Sequence, residues 1–345
     1  MSWSLREQNI LQAIRGGWAV SMLRSMIAFL VLVSAFFALP SSAESQVTIV
    51  AREHWTTGVS AADSSPLKLY LYEKHDKALD PNAQAARGRI VLVVHGATTS
   101  GRVNYDVQVP GVPLEQSFSL MDQFARRGYD VWTLDYQNYG RSDHHDCGLC
   151  VTTDAAARDI EAAVKFILGQ RGVRQLHLIG WSWGAQTAAL FASRRPHQVN
   201  RLVLYAPVLD LQGPPPPTTH FRTNNEAALS GFYHPTARVP EAIAAYVKAA
   251  LEVDGKSPNA ILMDWRTNPA QADPRKLTMP TLVIYGADDD RTPVSGPNVY
   301  PFFRDLTTKD KKFVVIPNAG HGLYMEQQRW RWYEEVLLHL EKGAQ

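Results

Sequence analysis

Two periodicities share the chain. Residues 67–72, LKLYLY, alternate apolar and polar positions as a half-exposed strand does, and residues 46–55 read as a companion strand. RIVLVVHG at 89–96 and YDVWTLDY at 129–136 are near-continuous runs of β-branched and aromatic residues, the mark of strands buried on both faces. QLHLIG at 175–180, RLVLYAP at 201–207, TLVIYGA at 281–287 and KFVVIPNA at 312–319 repeat that pattern. Between these runs the apolar positions recur three and four residues apart. In residues 152–168, Ile160, Ala163, Val164, Ile167 and Leu168 form one stripe, and Gly169 and Gly172 bound its end, which predicts a helix. Residues 115–127, 185–193 and 326–340 carry similar patterns. Strands alternating with helices imply an α/β fold, a mostly parallel sheet with right-handed crossovers and helices on both faces.

The rhythm fails between Leu209 and Lys276, where no strong strand appears. That stretch opens with the stiff run Pro214-Pro215-Pro216-Pro217 and continues with helix-like pieces at 225–231 and 240–253. It reads as a mainly helical cap lying over the C-terminal edge of the sheet, where open α/β sheets bind ligands. The alternative is a surface decoration. The expected organisation is a leader at 1–43, a core at 44–208 and 277–345, and a cap at 209–276.

Composition changes the picture at the N-terminus. MIAFLVLVSAFFAL at 26–39 has one polar member, Ser34; Arg24 precedes it and Ser41-Ser42-Ala43 follows. This is the layout of a secretory signal peptide cleaved after Ala43, and a start at Met22 would leave a compact leader of the same kind. An uncleaved anchor is the alternative, but Pro40 ends the run short of the roughly 20 residues a membrane span needs. The expectation is a secreted or periplasmic protein with no stable membrane span once the leader is gone. The net charge of +2 belongs to that leader, since Arg6, Arg15, Arg24 and Glu7 leave with it and the remainder is neutral. No basic patch points to nucleic acid. Hydrophobic residues at 45% against 20% charged call for a packed core. Nothing in the sequence sets an oligomeric state.

Cys147 and Cys150, in HHDCGLC, are the only cysteines. In an oxidising compartment they read as a disulfide stapling one loop. A metal site with His144 and His145 lacks a second cluster to complete it, and a redox role does not suit the surrounding pattern.

The chemistry centres on Gly180-Trp181-Ser182-Trp183-Gly184. Gly-x-Ser-x-Gly alone is a weak signal. Here a strand runs straight into it and an alanine-rich helix follows, so the serine sits on a sharp strand-to-helix turn that lifts its hydroxyl clear of the sheet. A serine hydroxyl needs a base. His321, between Gly320 and Gly322 just after the last strand, lies on the same sheet edge. The histidine needs a carboxylate to fix its tautomer. Asp288, Asp289 and Asp290 follow the strand at 281–287, and Asp289 is the choice among them, with Asp210 as a more distant alternative. Oxyanion donors are expected from the backbone N–H of Trp183 and of Ala97. His95 reads as a structural residue orienting the Ala97 loop. Trp181 and Trp183 stay open between walling an acyl pocket and packing beneath the helix.

Together, His95-Gly96-Ala97, the D-x-x-x-x-G-x-S segment from Asp135 to Ser142, the serine turn, Gly286-Ala287-Asp288-Asp289 with Pro293, and Gly320-His321 resemble the α/β-hydrolase family. The likeness is strongest to its monoacylglycerol-lipase and serine-aminopeptidase-like group. Two tryptophans at the turn and the CxxC-bearing segment depart from that group, so its substrates do not carry over. The resemblance implies an acyl-enzyme mechanism with no metal and no organic cofactor. The expected activity is hydrolysis of a small-molecule acyl ester. Acyl transfer, thioester cleavage or aminopeptidase chemistry with the same triad remain open, as does a non-catalytic binding role on the same fold.

Overall fold

The computed structural model describes residues 47–83, 86, 88–209, 218–267 and 272–341. The leader at 1–43, the four prolines at 214–217 and Asp210 lie outside the described residues.

The apolar runs become one eight-stranded sheet. β1 (Ile49–Val59) and β2 (Pro66–Asp76) form an antiparallel pair, and β2 lies antiparallel to β4 (Asp130–Leu134). The order then runs β4, β3 (Ile90–Val94), β5 (Leu176–Trp181), β6 (Val199–Tyr205), β9 (Thr281–Gly286), β10 (Lys311–Ile316), all parallel. Every residue of β3, β4, β5 and β9 is buried, as the unbroken apolar runs require. Because these strands are parallel, the segments that leave their C-terminal ends emerge along one edge, so residues distant in sequence converge there.

The helices are α1 (Gly101–Tyr105), α2 (Leu120–Ala125), α3 (Thr153–Arg171) and α4 (Trp183–Arg194), then α5 (Glu226–Ser230), α6 (Pro240–Val253) and α7 (Ala260–Thr267), and finally α8 (Val299–Arg304) and α9 (Arg329–Glu341). α3 extends the expected helix by one turn. The Thr152 side chain accepts from Ala155 N–H at its start, and Gly172 at φ +60° closes its end. The helix expected over 115–127 is shorter. The Gln123 amide donates to the carbonyls of Leu114, Glu115 and Ser117, so these oxygens are satisfied by a side chain, and α2 starts only at Leu120, capped by Ser119.

Between β6 and β9 the chain carries α5, α6 and α7, as the helical pattern anticipates. It also carries two three-residue strands, β7 (Phe221–Thr223) and β8 (Lys256–Pro258), paired antiparallel. Strands this short show no periodicity, which is why the sequence read as strand-free here. Polar bonds pin this segment to the core. Buried Asp254 accepts from Ser100 N–H (2.8 Å), the Ser100 hydroxyl (2.7 Å) and Gly140 N–H (2.8 Å). Backbone bonds run from Gly322 N–H to Phe232 O and from Gln327 N–H to Ala237 O, both 2.9 Å.

Candidate active site

Ser182 closes β5 and opens α4. Its backbone stands at φ +59°, ψ −120°, a conformation that costs an L-residue energy and persists only where the surroundings fix it. Three glycines do the fixing. A Cβ on Gly180 would sit 2.2 Å from Gly184 O, and one on Gly184 would sit 2.4 Å from Val94 O and 2.5 Å from His95 O. Gly96 likewise lets its loop pass close to Ser182, leaving 3.3 Å from a Cβ position to the serine Cβ. Ser182 N–H donates to Tyr205 O at 2.8 Å, locking the turn to β6.

The fold brings His321 and Asp289 together, because β9 and β10 are neighbours. His321 Nδ1 lies 2.8 Å from Asp289 Oδ2. The pair is buried, whereas Asp288 and Asp290 are exposed. Burial alone would raise the Asp289 pKa. His321, the Thr292 hydroxyl (2.6 Å) and the Thr292 N–H (2.9 Å) outweigh it and hold the carboxyl below its usual range. With Asp289 ionised, Nδ1 carries the proton and Nε2 is left to act as a base. Gly286 permits the crossing of the histidine loop, since a Cβ there would lie 2.3 Å from Ala319 O.

Ser182 and His321 line one cavity of about 350 Å³, together with Ala97, Trp181, Phe232 and Arg222. Among the described residues, no hydrogen bond joins the Ser182 hydroxyl to His321 or to any other group. The Trp183 amide belongs to the first turn of α4, whose N–H groups have no acceptor within the helix.

His95 is buried and neutral. Burial drives its pKa down to about 3, against the opposing pull of the Gly96 carbonyl. Nε2 accepts from Tyr136 N–H at 3.1 Å, which leaves Nδ1–H to donate to Gly96 O at 2.7 Å, so the ring fixes the loop that carries Ala97. The two tryptophans part company. Trp183 is fully buried, packs on Tyr136 and Tyr139, and donates to Thr153 Oγ1 at 3.0 Å. Trp181 walls the cavity and donates its indole N–H to His321 O at 2.9 Å. No local pattern signals that bond, nor the one from the Tyr205 hydroxyl to the same carbonyl.

The apolar pattern places Glu326 at the start of a helix. Its carboxylate accepts instead from Gly320 N–H (2.6 Å) and His234 N–H (2.8 Å), and α9 begins three residues later. Cys147 and Cys150 form a disulfide. Among the described residues, no group of three or more His, Cys, Asp or Glu could hold a metal ion, and no helix is long and apolar enough to cross a membrane.

The family described as serine aminopeptidase, S33 matches residues 115–328, more than half of the chain. A 2-hydroxy-6-oxononadienedioate/2-hydroxy-6-oxononatrienedioate hydrolase of Paraburkholderia phymatum is 35% identical over 138 residues, covering 36% of this chain and 46% of that protein. The chain thus spans about half the length of this curated relative. Among solved structures, a thermophilic esterase from Thermogutta terrifontis superposes with a TM-score of 0.61 at 19% identity, over 85% of this chain and all of that one. The 2-hydroxy-6-oxo-6-phenylhexa-2,4-dienoate hydrolase of Rhodococcus sp. strain RHA1 gives 0.59 at 16% identity, over 86% and 100%. At these identities the two structures speak for the fold.

Proposed function

The chain belongs to the serine aminopeptidase S33 family of α/β-hydrolases, and from that premise we propose that it cleaves carboxylic esters through Ser182, His321 and Asp289. The observation that carries this reading is the buried His321–Asp289 pair, opening on the cavity where Ser182 stands on its strained turn.

His321 Nε2 takes the proton from Ser182 Oγ as the oxygen attacks the ester carbonyl. The negative charge that develops on the carbonyl oxygen is met by the N–H groups of Trp183 and Ala97. His321, now an imidazolium stabilised by Asp289, returns the proton to the departing alcohol. The same histidine then activates a water that releases the acid from Ser182. No step requires a metal or an organic cofactor.

Action outside the cytoplasm is part of the proposal. The apolar run at 26–39 and the Cys147–Cys150 disulfide both favour it. N-terminal sequencing of the protein recovered from the periplasm or medium should begin at Glu44; a chain retaining residues 1–43 would contradict cleavage. The activity is tested with p-nitrophenyl esters of rising acyl length beside aminoacyl-anilides. Ester turnover that disappears in Ser182→Ala is expected. Turnover of the anilides alone would overturn the ester reading.

A further inference from the structure

The cavity that holds Ser182 and His321 has cations in its wall and, among the described residues, no carboxylate. Arg222, from β7, and Arg291 both line it. Elsewhere the fold pairs its buried cations. Arg171 is held by Asp130 (2.8 Å) and Glu73 (2.6 Å), and Lys74 by Asp106 (2.5 Å) and Asp122 (2.7 Å). Arg222 is only half-buried, and it bonds no acid, as the half-buried Arg127, Arg238 and Arg329 bond none. Its Nη1 donates to Pro258 O and to Asn259 Oδ1 (3.3 Å), and its Nη2 to Ala97 O (2.5 Å) and Thr98 Oγ1 (3.4 Å). All four acceptors are neutral.

A guanidinium stays charged even where burial presses its pKa down, as it does at Arg222. Carbonyl dipoles satisfy its donors but do not neutralise it, so the cavity keeps a positive potential in a low-dielectric wall. Arg291 adds to that potential. It donates to Gly231 O at 3.2 Å and lies over the Phe232 ring, 5.6 Å from its centre. It pairs with Asp290 at 3.8 Å, and with the Arg291 side chain 46% and the Asp290 side chain 79% exposed, water screens both charges. The remaining wall is largely apolar, through Trp181, Val208, Phe232 and Leu262. Apolar walls alone would suit a plain fatty acyl group. They give no reason for two arginines in a wall that, among the described residues, holds no carboxylate.

We propose that the site takes an acyl compound bearing its own carboxylate, with the reacting carbonyl at Ser182 and the carboxylate on the Arg222–Arg291 side of the cavity. This rests on the serine-hydrolase reading above and adds the substrate class. The segment between β6 and β9 supplies the selectivity through Arg222, while the sheet edge supplies the chemistry.

The test compares monoethyl adipate with its isosteric neutral analogue, in which the free carboxylate is a carboxamide. Wild-type kcat/KM is expected to favour the acid by at least about tenfold, the scale of a hydrogen bond to a charged group. In Arg222→Gln and in Arg291→Gln the ratio should shrink toward unity, and Arg222→Lys should keep part of it. The ratio is unaffected by any general loss of activity. Circular dichroism checks the fold, and Arg291→Gln and Arg222→Lys carry the test if Arg222→Gln does not fold. Calorimetric binding of the same two compounds to Ser182→Ala reads the preference without turnover. Equal binding of acid and amide there would overturn the proposal, even with Ser182 labelled by a fluorophosphonate in the wild type. Unlabelled Ser182 with the preference for the acid intact would overturn the serine-hydrolase reading and leave the anion subsite standing.

Discussion

Ser182 and Arg222 face the same cavity, but they are held there by different means. Ser182 is placed by backbone. β5 sits between β3 and β6, Gly180 and Gly184 allow the turn no alternative path, and Tyr205 O holds the serine amide. Arg222 is placed by side chains. It sits on a three-residue strand and is tied to the core through its own guanidinium, while nearby Asn224 bonds Thr98 O at 3.2 Å and Ser257 bonds the same oxygen at 2.7 Å. A site held by strand register tolerates changes to its reacting group without loss of fold. A site held by buried polar side chains couples its function to its stability, because each lost partner leaves another group unsatisfied.

The sharpest break in that comparison is at the nucleophile. Ser182→Ala should lower kcat by at least about 10⁴-fold, since members of such a triad act as a unit. Ser182→Gly should lose activity to the same degree and yet unfold later in urea by about 1 kcal/mol, because glycine relieves the strain at φ +59°. Equal stability of the two variants would mean that the turn stores no strain.

Next comes the backbone itself. Gly184→Ala brings a Cβ to within 2.4 Å of Val94 O, and no flexible side chain can yield there. A loss of about 3 kcal/mol in unfolding free energy is expected, with activity falling alongside. At the pinned segment, Asp254→Ala strips the acceptor from the buried N–H and hydroxyl of Ser100 and from the part-buried Gly140 N–H. It should cost about 2 kcal/mol and slow turnover, since Ser100 lies on the loop that carries Ala97. Unchanged turnover in this variant would separate the β6–β9 segment from the chemistry.

A further test concerns pH dependence. The His95 pKa falls from 6.5 in the unfolded chain to about 3 in the fold. Its contribution to stability is therefore complete above pH 6.5 and is lost as the pH falls toward 3, by up to about 1.4 kcal/mol per unit. The stability gap between wild type and His95→Gln should narrow over that window and stay constant above it, as measured by urea unfolding at stepped pH.

Much of the core could be read from the sequence because its signals are local. Unbroken apolar runs mark strands buried on both faces, and Ser182 lies where such a strand meets a helix. The place of Asp289 relative to Gly286 and Pro293 selects it among its neighbours, and it is the one the fold buries against His321. What escaped reading depends on pairing across the fold. Arg222 lies 125 residues from Ala97, and Trp181 lies 140 from the carbonyl it holds. No spacing rule reaches that far, and an arginine or tryptophan in isolation gives no sign of its partner. Trp181 and Trp183 show the limit well. Adjacent to the same serine, one faces the cavity and the other the core, because side chains on either side of the turn leave it in different directions.

The most direct measurement is covalent. Incubation with a fluorophosphonate, followed by intact mass and peptide mapping, should give one adduct per chain, located on Ser182. Labelling should vanish in Ser182→Ala and slow by orders of magnitude in His321→Ala. Folded wild-type protein that stays unlabelled, or carries its adduct on another serine, would contradict the assignment of Ser182 as a nucleophile activated by His321.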